Sequence, residues 1–87
     1  MISVVAAGNS LYRVSIEEDA TRTEHEVTVT PDDVARYAPG VPAERLLEAS
    51  FEFLLAREPK ESILARFSLP TIERYFPDYP TKLRELL

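Results

Sequence analysis

A chain of 87 residues makes one domain with a modest core. It holds no cysteine, so disulfides, thiolate metal sites and a cysteine nucleophile are excluded. Fifteen acidic against ten basic side chains leave a formal charge of −5, which repels phosphate and disfavours nucleic acid unless a local basic face exists. Frequent Leu, Ile, Val and Phe at moderate net charge argue for a folded rather than a disordered chain. No apolar run reaches membrane-spanning length, and the start of the chain lacks the basic segment and long apolar stretch of a signal peptide. A small domain without cysteine fits a reducing compartment. A cytoplasmic protein without a membrane partner is therefore expected.

Taken in chain order, residues 1–30 read as two or three antiparallel strands with one wet face. Ile2 to Ala6 is a short β-prone run, and Gly8-Asn9 supplies a turn. From Leu11 the residues alternate, with Tyr12, Val14 and Ile16 on one face and Arg13, Ser15 and Glu17 on the other. Glu18 to Arg22 reads as a second hairpin loop. The alternation then resumes with His25, Val27 and Val29 inward.

Residues 31–87 read as about four helices. Thr30-Pro31-Asp32-Asp33 combines a cap, a proline suited to the first helical position and two carboxylates that complement the positive dipole end. Ala38-Pro39-Gly40 ends that short helix. Pro42 opens a longer one, to about Arg57. Its apolar arc centres on Leu46, Leu47, Ser50, Phe51 and Leu54 and leaves only a strip of Glu44, Arg45, Glu48 and Glu52. So wide an arc predicts burial against both the sheet and the later helices. Pro59 is expected to start a third helix, to about Phe67. Ser68 is expected to cap a stretch from Leu69 to Phe76, and Asp78 a last helix from Tyr79 to Leu87. The fold class that follows is α+β: a small N-terminal antiparallel sheet, then helices packed on one face. The predicted core is Tyr12, Val14, Ile16, Val27, Val29, Leu47, Phe51, Leu54, Leu55, Ile63, Leu64 and Phe67.

Chemistry is sparse. His25 is the single histidine, so neither a Cys-His pair nor a two-histidine metal site can be built, and its expected place is a strand end near Glu17 or Glu18. Asp32 and Asp33 are accounted for by capping, and Glu17-Glu18-Asp19 by a solvated loop. With glycine at positions 8 and 40 alone, no phosphate-binding loop exists. No enzyme, metal or cofactor is expected. Ile63 to Phe76 has the order of a helix-turn-helix, but its turn is short and Pro70 sits where the second helix would begin. A glutamate lies on the reading face, with only Arg66, Arg74, Lys82 and Arg84 to meet phosphates.

The segment Arg74-Tyr75-Phe76-Pro77-Asp78-Tyr79-Pro80 is the best binding candidate. Tyr, Phe and Arg are enriched where partners dock, and prolines lower the entropy cost of ordering. Arg74, Tyr75, Phe76, Asp78 and Tyr79 are the expected contact residues, with Tyr75 and Tyr79 partly exposed. The opposing reading is that these rings close the core beneath the last helix.

The segments HEVTVTPDDVAR, EASFEFLLAREPKESILARF and IERYFPDYP resemble a group of short, uncharacterised prokaryotic proteins. A similar HEVTV, FEFLLxREPKESIL and RYFP-acid-Y order recurs among them. The resemblance covers about residues 24–79 and brings no activity with it, so no role is carried over to any residue. From the residues, the expected function is a non-enzymatic protein-interaction or adaptor module, with another protein or a second copy of the chain as partner. The alternative is a DNA-associated regulator or antitoxin-like protein using the C-terminal helices.

Overall fold

Alternating apolar and polar side chains fold the first third of the chain into a meander of three strands, β1 (Ile2–Gly8), β2 (Leu11–Glu18) and β3 (Thr21–Thr28). The computed structural model describes residues 1–87. β1 and β2 pair antiparallel with Val4 opposite Val14, and β2 and β3 with Val14 opposite His25. This register puts Val14, Ile16, Val27 and Val29 on the buried face. Arg13 and Glu26 face solvent as cross-strand neighbours.

Both hairpin turns rest on left-handed residues. The first turn is Asn9-Ser10 rather than Gly8-Asn9, with Ser10 at φ 58° and an irregularity in the ladder between Ala6 and Gly8. The second is tighter than the expected loop. Asp19 and Ala20, at φ 54° and 62°, form a two-residue connection whose paired positive φ values match the strand twist.

Thr30 then caps α1 (Pro31–Tyr37) in a reciprocal box: its hydroxyl accepts from the Asp33 N–H, and Asp33 accepts from the Thr30 N–H. Gly40, at φ 82°, turns the chain into α2 (Ala43–Leu55). As its wide apolar arc predicts, α2 is covered twice, by β1 on one side and by the last helix on the other.

The segment after α2 departs from expectation. Instead of a helix from Pro59 to Phe67 there is one 3₁₀ turn, Lys60–Ser62, and then a short strand, β4 (Arg66–Ser68), parallel to β3. The open edge of β3 explains this. Glu26 donates its N–H to the Ala65 carbonyl at 2.7 Å, and the Thr28 carbonyl accepts from Leu69 at 3.0 Å. An extended segment satisfies these edge groups, whereas a helix would leave them unpaired. The sheet is therefore mixed and four-stranded, in the order β1-β2-β3-β4.

Two helices finish the chain, α3 (Thr71–Tyr75) and α4 (Tyr79–Leu86). Leu69, Ile72, Tyr79 and Leu83 close the core from this side, and all four lie outside the core expected from the sequence. Leu64, expected inside, is 47% exposed, while Tyr12, Leu55 and Phe67 are only half-buried. The domain is α+β with four helices, and no helix is long and apolar enough to cross a membrane.

Candidate functional site

The aromatic segment that ends α3 splits between core and surface. Tyr79 is fully buried, contrary to its expected partial exposure. Its ring packs edge-on against Phe53 and tilted against Tyr37, with centroids 5.3 Å away in each case. Its hydroxyl lies 2.7 Å from Ser50 Oγ. Ser50 Oγ donates to the Leu46 carbonyl at 2.7 Å, so Tyr79 is the donor to Ser50. Burial pushes the Tyr79 phenol well above the ordinary tyrosine range.

Asp78 does not cap α4 with its side chain. It accepts instead from Arg57 at 3.0 Å. The Arg57 guanidinium also donates to the Phe53 carbonyl and stands 3.6 Å from the centroid of the Phe53 ring. This cation–π contact and ion pair clamp the end of α2 to the start of α4. Phe76 packs edge-to-face on Phe53 at 5.8 Å. Of the five expected contact residues, Tyr79 thus belongs to the core and Asp78 to an interhelical clamp. Phe76 is half-buried, Arg74 is exposed, and Tyr75 is 67% exposed.

Tyr75 and Phe76 meet residues of β4 and the preceding loop across an apolar groove of about 190 Å³. Leu64, Phe67 and Ile72 line it with them. The groove exists because β4 is a strand: the extended backbone carries Leu64 and Phe67 beside the sheet, facing α3. His25 secures the groove's lip. Its Nδ1 lies 2.8 Å from the Leu64 carbonyl, which can only accept, so Nδ1–H is the donor. In the neutral ring Nε2 then accepts from the Thr23 hydroxyl at 2.9 Å. The ring itself packs on Phe51, with centroids 5.5 Å apart. His25 is therefore a buried tether across the sheet, away from Glu17 and Glu18. Its position on the inward phase of β3 was legible, but its partner 39 residues away was not.

The far side of α3 is fixed by Glu73, which accepts from the Tyr37 hydroxyl at 2.7 Å and from Arg36 at 3.0 Å. Burial, reinforced by this carboxylate, pushes the Tyr37 phenol up to about 12. Lys60 is the one lysine with a buried side chain, and its ammonium pairs with Glu61 at 3.0 Å. The hydrogen bond from Lys60 holds the Glu61 carboxyl below the usual range. A second concavity, about 410 Å³, lies beside Met1, Glu17 and Arg22 at the β2–β3 turn. Although larger, it is lined chiefly by charged and polar residues (Glu17, Glu18, Thr21 and Arg22) and lacks convergent apolar walls, so the groove is the stronger candidate. No group of three or more His, Cys, Asp or Glu side chains is arranged to hold a metal ion.

The helix-turn-helix arrangement is not formed. Where its first helix would run, the chain makes the 3₁₀ turn and β4. Arg66 lies on that strand beside Glu26, with a contact of 3.4 Å. No protein-family model matches this chain, and no curated protein or solved structure matches it.

Proposed function

We propose that this protein is a non-enzymatic interaction module that docks a partner polypeptide into the groove between β4 and α3. The observation that carries the reading is Tyr75. It is a large aromatic residue, two-thirds exposed, at the rim of an apolar groove whose other lip carries the exposed Leu64. Exposed apolar residues converging on a concavity mark a place where surface is buried on association. Tyrosine suits this role, because its ring supplies contact area at a low cost in side-chain entropy.

The size of the groove favours a peptide side chain over a small-molecule substrate. Ligand pockets commonly occupy roughly 300–1,000 Å³, and this groove holds about 190 Å³. One large apolar side chain of a partner fits such a volume, with Glu58 among the lining residues to pair with a flanking basic group. The test is a tagged pulldown from host lysate, with and without nuclease. Wild type is compared with Tyr75→Ala and Leu64→Glu, each verified as folded by circular dichroism. A protein partner retained by wild type after nuclease and lost from both variants supports the module. Partners that bind all three proteins equally, or that vanish with nuclease, would refute it.

A further inference from the structure

β1 forms one edge of the sheet, and its backbone phase is fixed by the pair next to it. Met1 and Glu17 exchange two hydrogen bonds, at 2.6 and 2.9 Å. In an antiparallel ladder such closely bonded pairs recur at every second residue. Ser3–Ser15 and Val5–Arg13 are therefore bonded pairs as well. The N–H and C=O groups of Ile2, Val4 and Ala6 consequently point away from β2, toward the open edge. No turn, loop or cap bond reaches them.

Natural sheets protect such an edge with charge, proline, a short strand or a covering element. β1 uses none of these over ISVVAA, and its one irregularity falls beyond Ala6. The charges of the meander all lie on β2, β3 and their connecting turn. The opposite edge, β4, is protected in two ways: it is three residues long and carries Arg66. Val5 stands 60% exposed on the open strand.

We infer that β1 is a homodimerisation edge: two copies pair antiparallel through β1, with Val4 facing Val4 of the second copy across the two-fold axis. This register follows from the bonding phase. The open-edge groups sit on Ile2, Val4 and Ala6, and a two-fold axis at Val4 matches Ile2 with Ala6 of the second copy, and Ala6 with Ile2. About six backbone hydrogen bonds then form between the copies. The strand complements itself because it is neutral. Ser3 meets Val5 on the solvent face, and Ile2, Val4 and Ala6 meet their own kind on the inner face, so no like charges are opposed. Two chains of charge −5 meet at the one strand that carries none of it. The surface is separate from the groove, which lies at the other end of the sheet.

Two variants and two wild-type measurements test the dimer. Sedimentation of wild type at high micromolar concentration should give twice the 9.9 kDa chain mass, falling to the monomer on dilution. Ser3→Glu combined with Val5→Glu places carboxylates opposite one another across the interface, at positions that face solvent within one copy. Ala6→Pro removes an N–H that bonds nothing in the monomer. Each should weaken self-association about tenfold or more, with circular dichroism unchanged at low concentration. Hydrogen exchange on wild type gives an independent reading. The amides of Ile2, Val4 and Ala6 should gain protection with concentration, whereas those of Ser3 and Val5 stay protected throughout. A chain that remains monomeric overturns the inference and leaves a foreign strand as the occupant of the edge. A dimer indifferent to both variants, or one that protects no β1 amide, overturns it too. Tyr75→Ala should leave the dimer intact, so this outcome is read separately from that of the groove.

Discussion

Ser50 is the only hydroxyl buried in the middle of α2, and Tyr79 is its partner. The two side chains are not equivalent. Removing the Tyr79 hydroxyl leaves Ser50 still bonded to the Leu46 carbonyl, so Tyr79→Phe should cost about 1 kcal/mol. Removing the Ser50 hydroxyl strands a phenolic O–H in the core, so Ser50→Ala should cost more, about 1–3 kcal/mol. Urea unfolding of the two variants checks the order, and equal costs would show that Tyr79 finds another acceptor. Tyr37 sets an alkaline limit. Its phenol stays protonated in the folded chain up to about 12, against an ordinary value of 10.0. Between these values the unfolded chain binds fewer protons than the folded one, so stability falls as pH rises. Thermal melts should be insensitive to this group below pH 10 and decline from pH 10 towards 12, with Tyr79 adding in the same direction. Tyr37→Phe should make that decline shallower.

At the scale of elements, the β2–β3 hairpin carries a correctable strain. Ala20 holds φ 62° without the freedom of glycine. A left-handed conformation costs an L-residue roughly 1–2 kcal/mol. Ala20→Gly creates an Asp-Gly turn, the combination such a connection favours, and should stabilise the protein by about 1 kcal/mol. A rise in melting temperature of roughly 4–8 °C would register it. The meander was readable from the sequence because two-residue alternation over Tyr12–Ile16 and His25–Val29 is a long enough signal. The capped start of α1 was readable because Thr30, Pro31 and Asp33 each serve a local need. β4 was hidden for the opposite reason. Arg66-Phe67-Ser68 offers a single apolar residue between two polar ones, while Ile63, Leu64 and Phe67 fall at helical spacing. What makes the segment a strand is the open edge of β3, some 40 residues earlier, and no local pattern reports that. The candidate site inherited the same blindness. Tyr75 was legible as an exposed aromatic, but the groove beneath it depends on Leu64 and Phe67 being extended.

For the whole molecule, the core is a single cluster joining sheet, α2 and the C-terminal helices. Phe51 lies near its centre, in contact with the rings of His25 and Phe67. Phe51→Ala should cost about 3–5 kcal/mol. Small domains are marginally stable, with totals near the lower end of about 5–15 kcal/mol, so this change alone should leave a measurable unfolded fraction at room temperature. Near-ultraviolet circular dichroism and a denaturant titration would show it, and an unchanged midpoint would mean that α2 does not bridge the two halves of the core. The full burial of Tyr79 and Leu83 is decided by how α4 returns to α2, a relation with no local signature. The order of the strands has one further consequence. β1 and β4 lie at opposite ends of the sheet, so a dimer joined at β1 carries its two grooves at the far ends of eight continuous strands. Seven interstrand steps of about 4.8 Å put them about 34 Å apart. A partner with two docking segments at that span would be held bivalently, and its second contact would form at an effective concentration set by its own linker. Weak binding at each groove would then become selective retention of partners with the right spacing.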